Sequence, residues 1–160
     1  ISDWEAEVNK AEEYNVRTVI IRNAPILTHS GLLYSTTKTN TYKFLLYFTK
    51  KDYWMSWIHE VDMIRIYLFA LETSTLVGPV NAVAPETITH TEFVELTGGI
   101  FRRKISALMP TWILKKMFGE IAKEISNNER VVPQKLLDKG FEFKFPTLKS
   151  ALTSSNEKKK

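Results

Sequence analysis

The chain has 160 residues, 44% of them hydrophobic and 25% charged, the size and balance of one folded domain. Disordered, collagen-like and low-complexity classes are excluded. It has no Cys, which also removes a disulfide scaffold, a Cys-ligated zinc site and a thiol nucleophile.

The net charge of +4 is unevenly spread. Residues 1–100 carry 8 Lys/Arg against 12 Asp/Glu, and residues 101–160 carry 14 against 6. A basic half can serve nucleic acid, anionic lipid or an acidic protein. No aromatic-and-basic nucleic-acid motif accompanies it, so it reads as solvated surface plus the basic tail Lys158–Lys160. The most apolar stretches, Phe44–Phe48 and Ile64–Leu71, fall short of the roughly 20 residues that crossing a bilayer takes. No Asn-x-Ser/Thr site occurs and no signal peptide is visible. The first residue is Ile rather than Met, which reads as a processed, cut or partial polypeptide.

A helix is expected first. Ser2 and Glu5 have capping-box spacing, Trp4, Val8 and Ala11 share a face, and Asn15 suits a left-handed stop. Thr18–Ile21 is a run of β-favouring residues without alternation, which predicts a strand buried on both faces, as in a parallel sheet. Asn23-Ala-Pro25 breaks it. Leu32–Leu46 has helical spacing but too many Thr residues for a good helix. Trp54–Ile58 reads as a short extended segment, and Glu60–Leu71 as a helix apolar nearly all round and therefore largely buried.

Pro79–Ala84 is a second short apolar strand, closed by Pro85. Thr89 and Glu92 form another capping box, opening a helix with Phe93, Leu96 and Ile100 inward and Gly98-Gly99 near its end. Trp112, Ile113, Met117, Ile121 and Ile125 predict one or two helices, bent at Gly119. Pro133 suits a first helical position and Gly140 a C-cap. Phe141, Phe143 and Phe145 alternate with charged residues as in a half-buried strand, and Leu148, Ala151 and Leu152 mark a last helix. The fold class is α/β. Two strands buried on both faces need neighbours, and the chain offers few. It reads as part of a sheet whose remainder lies elsewhere.

Several strings together resemble one family. They are Trp54-Met-Ser-Trp-Ile-His-Glu-Val-Asp62, Gly78-Pro-Val-Asn-Ala-Val-Ala-Pro85, Glu92-Phe93, Gly119-Glu120, Arg130-Val-Val-Pro-Gln-Lys-Leu-Leu-Asp-Lys-Gly-Phe-Glu-Phe-Lys-Phe-Pro146, and Leu148 with Ala151-Leu152. In this order they resemble the C-terminal half of the epimerase family, atypical extended short-chain dehydrogenase/reductases of about twice this length. The resemblance runs from Trp4 to Leu152. It implies the C-terminal strands and substrate-side lobe of a Rossmann-like fold. Residues 1–100 would complete the sheet, 101–152 would form a helical C-terminal domain with a short strand, and 153–160 a disordered basic tail.

The departures carry as much as the matches. No Gly-x-Gly-x-x-Gly or related dinucleotide turn occurs. The family's Tyr/Lys chemistry lies before the position of Ile1, and Lys50-Lys-Asp-Tyr53 stands where a Gly-rich loop is expected. Asn23-Ala-Pro25 replaces a small residue and Gly, and Arg103 replaces Pro. The dinucleotide lobe is therefore absent from this sequence.

The resemblance implies the C-terminal portion of an NAD(P)-binding epimerase or oxidoreductase-like protein, inactive alone and completed by another chain or segment. The alternative is a catalytically silent structural subunit of a larger assembly, and whether the chain is part of an enzyme stays open. NAD or NADP would bind only with a lobe supplied in trans. The setting is intracellular, cytoplasm or an organelle matrix such as the mitochondrion's. No residue is assigned a catalytic role. Arg22, Asn23, Ala24 and Pro25, at the carboxyl end of a strand, are the cofactor-side candidates. Trp57, His59 and Asp62 are the substrate-side candidates.

Plainer readings stand beside these. Ser56, His59 and Asp62 are spaced like a hydrolase triad but lack a nucleophile elbow, and Glu60 and Asp62 suit the start of a helix. His29, His59 and His90 lack metal-ligand spacing. Arg102, Arg103 and Lys104 could grip a phosphate but read more simply as solvated charge.

Overall fold

A computed structural model describes residues 2–28, 44–47, 53–101, 104–108 and 129–157. Helix α1 (Ser2–Asn9) tightens into a 3-10 turn (Lys10–Tyr14), and strand β1 (Val19–Asn23) and the short β2 (Ile26–Leu27) follow. Next come β3 (Phe44–Tyr47), β4 (Trp54–Met55), β5 (Ile58–His59) and helix α2 (Glu60–Glu72). The order closes with β6 (Gly78–Ala82), β7 (Ile88–Thr89), α3 (His90–Phe101), β8 (Lys104–Leu108), α4 (Gln134–Asp138) and α5 (Leu148–Glu157).

The two expected strands find each other. β1 and β6 run parallel, with Val19 opposite Gly78 and Asn23 opposite Ala82. A parallel pair needs a crossover, and α2 supplies it. β2 pairs parallel with β5, β3 parallel with β8, and β4 antiparallel with β7. Among the described residues each sheet has two strands.

Two cores result. In the first, Val80 and Ala82 pack with Ile58, Met63, Ile66, Ala70, Leu76, Leu136 and Phe141, and Val19 and Ile21 lie against them. The second gathers Leu27, Trp57, Ala84, Ile88, Phe93, Val94, Leu148, Ala151 and Leu152. Val19 and Ile21 thus face α2. The alternate residues face α1 and its 3-10 turn, where Thr18 Oγ1 donates to Glu12 (2.9 Å) and Arg22 pairs with Glu5. Helices therefore flank the β1–β6 pair on both sides.

Local signals behave as their chemistry dictates in several places. Asn15 is left-handed (φ 58°) and its N–H reaches Glu12 O. The Thr89–Glu92 capping box closes in both directions, at 2.7 and 3.3 Å. Gly140 (φ 81°) follows α4, where a Cβ would be strained. Pro133 sits at the N-cap of α4, one position before the expected one.

Other expectations are corrected. β1 is not buried on both faces: Val19–Ile21 are half-buried, and Arg22 and Asn23 are exposed. Trp4 (79% exposed) and Val8 (45%) point to solvent. Both oxygens of Glu5 engage Arg22. α2 buries one side only, leaving Ile64, Tyr67, Leu68 and Leu71 exposed. Residues 141–145 alternate in burial but form no strand, since the carboxylate of Asp62 takes the Lys144 and Phe145 N–H groups. Phe44–Tyr47 is a strand. The helices expected around 112–125, and His29, Arg102, Arg103 and Lys158–Lys160, lie outside the described residues.

Candidate functional site

In open α/β sheets ligands bind beyond the carboxyl ends of the strands. Here that end is formed by Asn23 of β1 and Ala82 of β6. The Ala24 N–H donates to Ala82 O (3.2 Å), carrying the pairing one residue past β1. Pro25 O accepts from the Ile58 N–H (3.1 Å), and Leu27 lies opposite His59 in the β2–β5 pair. Arg22–Pro25 and Trp57–His59 therefore meet through the backbone, although more than 30 residues separate them in sequence.

Their side chains have different fates. Asn23 and Pro25 are exposed, and Ala24 is buried. Arg22 is held in a bidentate pair, its Nε 2.7 Å from Glu5 Oε1 and its Nη2 2.6 Å from Oε2. The hydrogen bond to Arg22 holds the Glu5 carboxyl below the usual carboxylate range, and the reciprocal bond raises Arg22 further.

Trp57, His59 and Asp62 are all buried. Trp57 O accepts from the Ala84 N–H (2.8 Å), while its indole Nε1 has no hydrogen-bond partner among the described residues. His59 caps α2: extended at φ −79° and ψ 141°, it places Nδ1 to accept from the Val61 N–H (3.1 Å). Nδ1 is thus an acceptor and the ring proton sits on Nε2. The ring centroid lies 4.0 Å from that of Phe145.

Asp62, 1% exposed, is fully engaged. Oδ1 accepts from the Lys144 N–H (2.7 Å) and Arg65 Nη1 (3.1 Å), and Oδ2 accepts from the Phe145 N–H (2.8 Å). Arg65 also donates to Glu142 O (2.6 Å). This clasp ties the first turn of α2 to the chain after α4. It leaves no triad at Ser56, His59 and Asp62. A triad needs the histidine Nδ1–H to donate to the carboxylate, and here Nδ1 accepts from backbone.

Two features escaped the sequence reading. Arg17 caps the other end of α2, donating to Ala70 O (2.9 Å), Leu76 O (3.0 Å) and Leu71 O (3.3 Å). The only local hint was a cation before a strand. An open groove of about 540 Å³, bordered by Glu86, Glu92, Glu95, Leu96, Ile100 and Lys149, runs where α3 meets α5. Its residues come from three separate segments, so no spacing signals it.

Residues 109–155 match a family model described as a domain of unknown function (DUF1731). The epimerase family protein YfhF of Bacillus subtilis is 30% identical over 152 residues, covering 94% of this chain and 50% of that protein. The mouse epimerase family protein SDR39U1 is 29% identical over 161 residues, covering 95% and 52%. Among solved structures, human SDR39U1 (isoform 2) with NADPH superimposes at a TM-score of 0.76 and 26% identity, covering 89% of this chain and 49% of that one. The UDP-glucose 4-epimerase of Thermotoga maritima with UDP-glucose, at 17% identity and a TM-score of 0.72, shares the Rossmann-like fold. The chain spans about half the length of the curated relatives it matches.

Proposed function

Because the chain resembles the C-terminal half of epimerase family proteins over nearly all its length, we propose that it supplies the last strands and substrate-side lobe of an NAD(P)-binding epimerase or oxidoreductase-like protein. A dinucleotide lobe from another chain or segment docks along β1 to complete it. The observation that carries this reading is the open flank of β1. The strand is paired on one edge only among the described residues, its Val19–Ile21 are half-buried, and Trp4 and Val8 of α1 stand exposed. A strand edge with apolar side chains beside it calls for another strand and its helix.

The strand end fits one part of such a cofactor. Exposed Asn23 and Pro25 suit the nicotinamide end. The sequence has no Gly-rich turn to cradle a pyrophosphate, and Arg22, the nearby cation, is committed to Glu5. The nicotinamide would supply hydride chemistry when bound. This chain's part is to wall the substrate side, with His59 and Trp57 holding the shape of that wall. Residues 101–152 act as the substrate-side cap in this reading, in a cytoplasmic or organelle-matrix setting, the mitochondrion's included. No helix among the described residues is long and apolar enough to cross a membrane.

The second reading, a structural subunit without turnover, is favoured by the closure of the polar groups at Arg22 and Asp62 within the fold. One experiment separates the two. The purified chain is titrated with NADPH alone, and again after co-expression with a segment carrying a Gly-rich dinucleotide turn. The expected result is no binding alone and binding in the complex. Nucleotide binding or turnover by the 160-residue chain alone would overturn the lobe reading. A stable complex that binds no nucleotide would favour the structural subunit.

A further inference from the structure

Among the described residues the outer side of α2 is unpartnered, in a way that a lobe docked along β1 does not explain. Ile64 (60% exposed), Tyr67 (48%), Leu68 (52%) and Leu71 (74%) form an i, i+3, i+4, i+7 stripe. At roughly 100° per residue, Ile64 and Leu68 lie on the opposite side of the helix from the buried Ile66 and Ala70. The stripe therefore points away from the β1–β6 sheet. A lobe that extends the sheet at β1 lies beside α2, in the same layers, and does not cover this side.

The charges at the two ends of the stripe differ. Glu60 opens α2 and forms no ion pair among the described residues. Beyond the other end Lys139 reaches Thr75 Oγ1 (3.3 Å), likewise without an acidic partner there. We propose that this side of α2 is an interface between two copies of the chain, packed as antiparallel helices about a two-fold axis between Tyr67 and Leu68. In that arrangement Ile64 meets Leu71 of the other copy and Tyr67 meets Leu68, so the stripe is complementary to itself. Glu60 of each copy comes opposite residue 75 of the other, and hence near its Lys139. Each pairing occurs twice. Glu72 lies off the stripe, on the side of Arg65. One helix face is a small interface, so the dimer is weak and concentration-dependent.

The test uses the whole chain, alone and in complex with its completing lobe, by sedimentation velocity up to ~100 μM. A monomer–dimer equilibrium is expected in both. Leu68→Glu should weaken it by roughly tenfold or more. Glu60→Lys or Lys139→Glu alone should weaken it several-fold, and the two together should restore it. That rescue is a result a misfolded variant cannot produce. Because the chain has no Cys, a Leu68→Cys variant with a short bis-maleimide reports the contact directly and should cross-link faster than Val8→Cys. A monomer at every concentration, a dimer indifferent to Leu68→Glu, charge swaps that do not rescue, or cross-linking no faster than at Val8 would each overturn the proposal. None of these outcomes depends on nucleotide binding.

Discussion

The two helices that flank the β1–β6 pair differ in what completes them. α2 seats Met63, Ile66 and Ala70 in a core closed by the chain's own C-terminal segment, through Leu136 and Phe141. Its ends are held by Arg17 and His59, and Asp62 ties it to residues 144 and 145. α1 and its 3-10 turn reach the β1 segment through two polar contacts, Glu12 of the turn with Thr18 just before β1 and Glu5 of α1 with Arg22, while Trp4 and Val8 meet water. An amphipathic pattern records that a helix has an apolar side. It does not record whether the covering surface belongs to the same chain.

Substitutions can sharpen this contrast. The largest loss is expected at Asp62→Ala. It leaves the Lys144 and Phe145 N–H groups without their acceptor, while Arg65 keeps Glu142 O, and denaturant unfolding should read about 2–4 kcal/mol less stability. Arg17→Ala removes the donor to the Ala70 and Leu71 carbonyls at the end of α2 and to Leu76 O beyond it, and should cost about 1–2 kcal/mol in the same assay. Gly140→Ala meets no atom within 4 Å, so its cost is conformational alone, about 1 kcal/mol from a positive φ. On the open flank, Trp4→Ser should change the isolated chain by no more than about 0.5 kcal/mol but weaken docking of a completing lobe. A large loss in the isolated chain would mean that α1 is already packed.

The smallest effect belongs to Glu5. Its folded pKa is lowered by Arg22, so the stability it contributes is present above the ordinary carboxylate pKa and is lost as pH falls through the folded value. Thermal melts from neutral to acid pH should be slightly flatter for Glu5→Gln. An unchanged slope would show that the Arg22 pair is fully screened by solvent.

Much of the fold was legible where a local signal has a local cause. β-Branched residues at 18–21, the Thr89–Glu92 box, left-handed Asn15 and Gly140 act within a few residues of themselves, and each appears in the structure. Phe141–Phe145 misled, because period-2 burial is shared by strands and by extended chain. The difference lies in the partner of the backbone, which at Lys144 and Phe145 is a side chain some 80 residues away, at 2.7 and 2.8 Å. The sequence marked the carboxyl end of β1 and the Trp57–His59 segment separately; that their backbones meet, at Pro25 O with the Ile58 N–H and in the β2–β5 pair, came from the structure. Asp62, a substrate-side candidate at the start of a helix, accepts from the Lys144 and Phe145 N–H groups, partners that no local spacing announces. Arg22, a cofactor-side candidate at the strand end, pairs with Glu5.

The sequence by itself determined the periodicities, the caps and the breaks, and with them the α/β class. These rest on hydrogen bonds and rotamer limits between near neighbours. Only the tertiary structure decided that β1 pairs with β6, that among the described residues β1 is paired on one edge only, and that Asp62 anchors the C-terminal segment. Those outcomes depend on which distant groups compete for each buried donor and each apolar face, and no window of sequence contains both competitors.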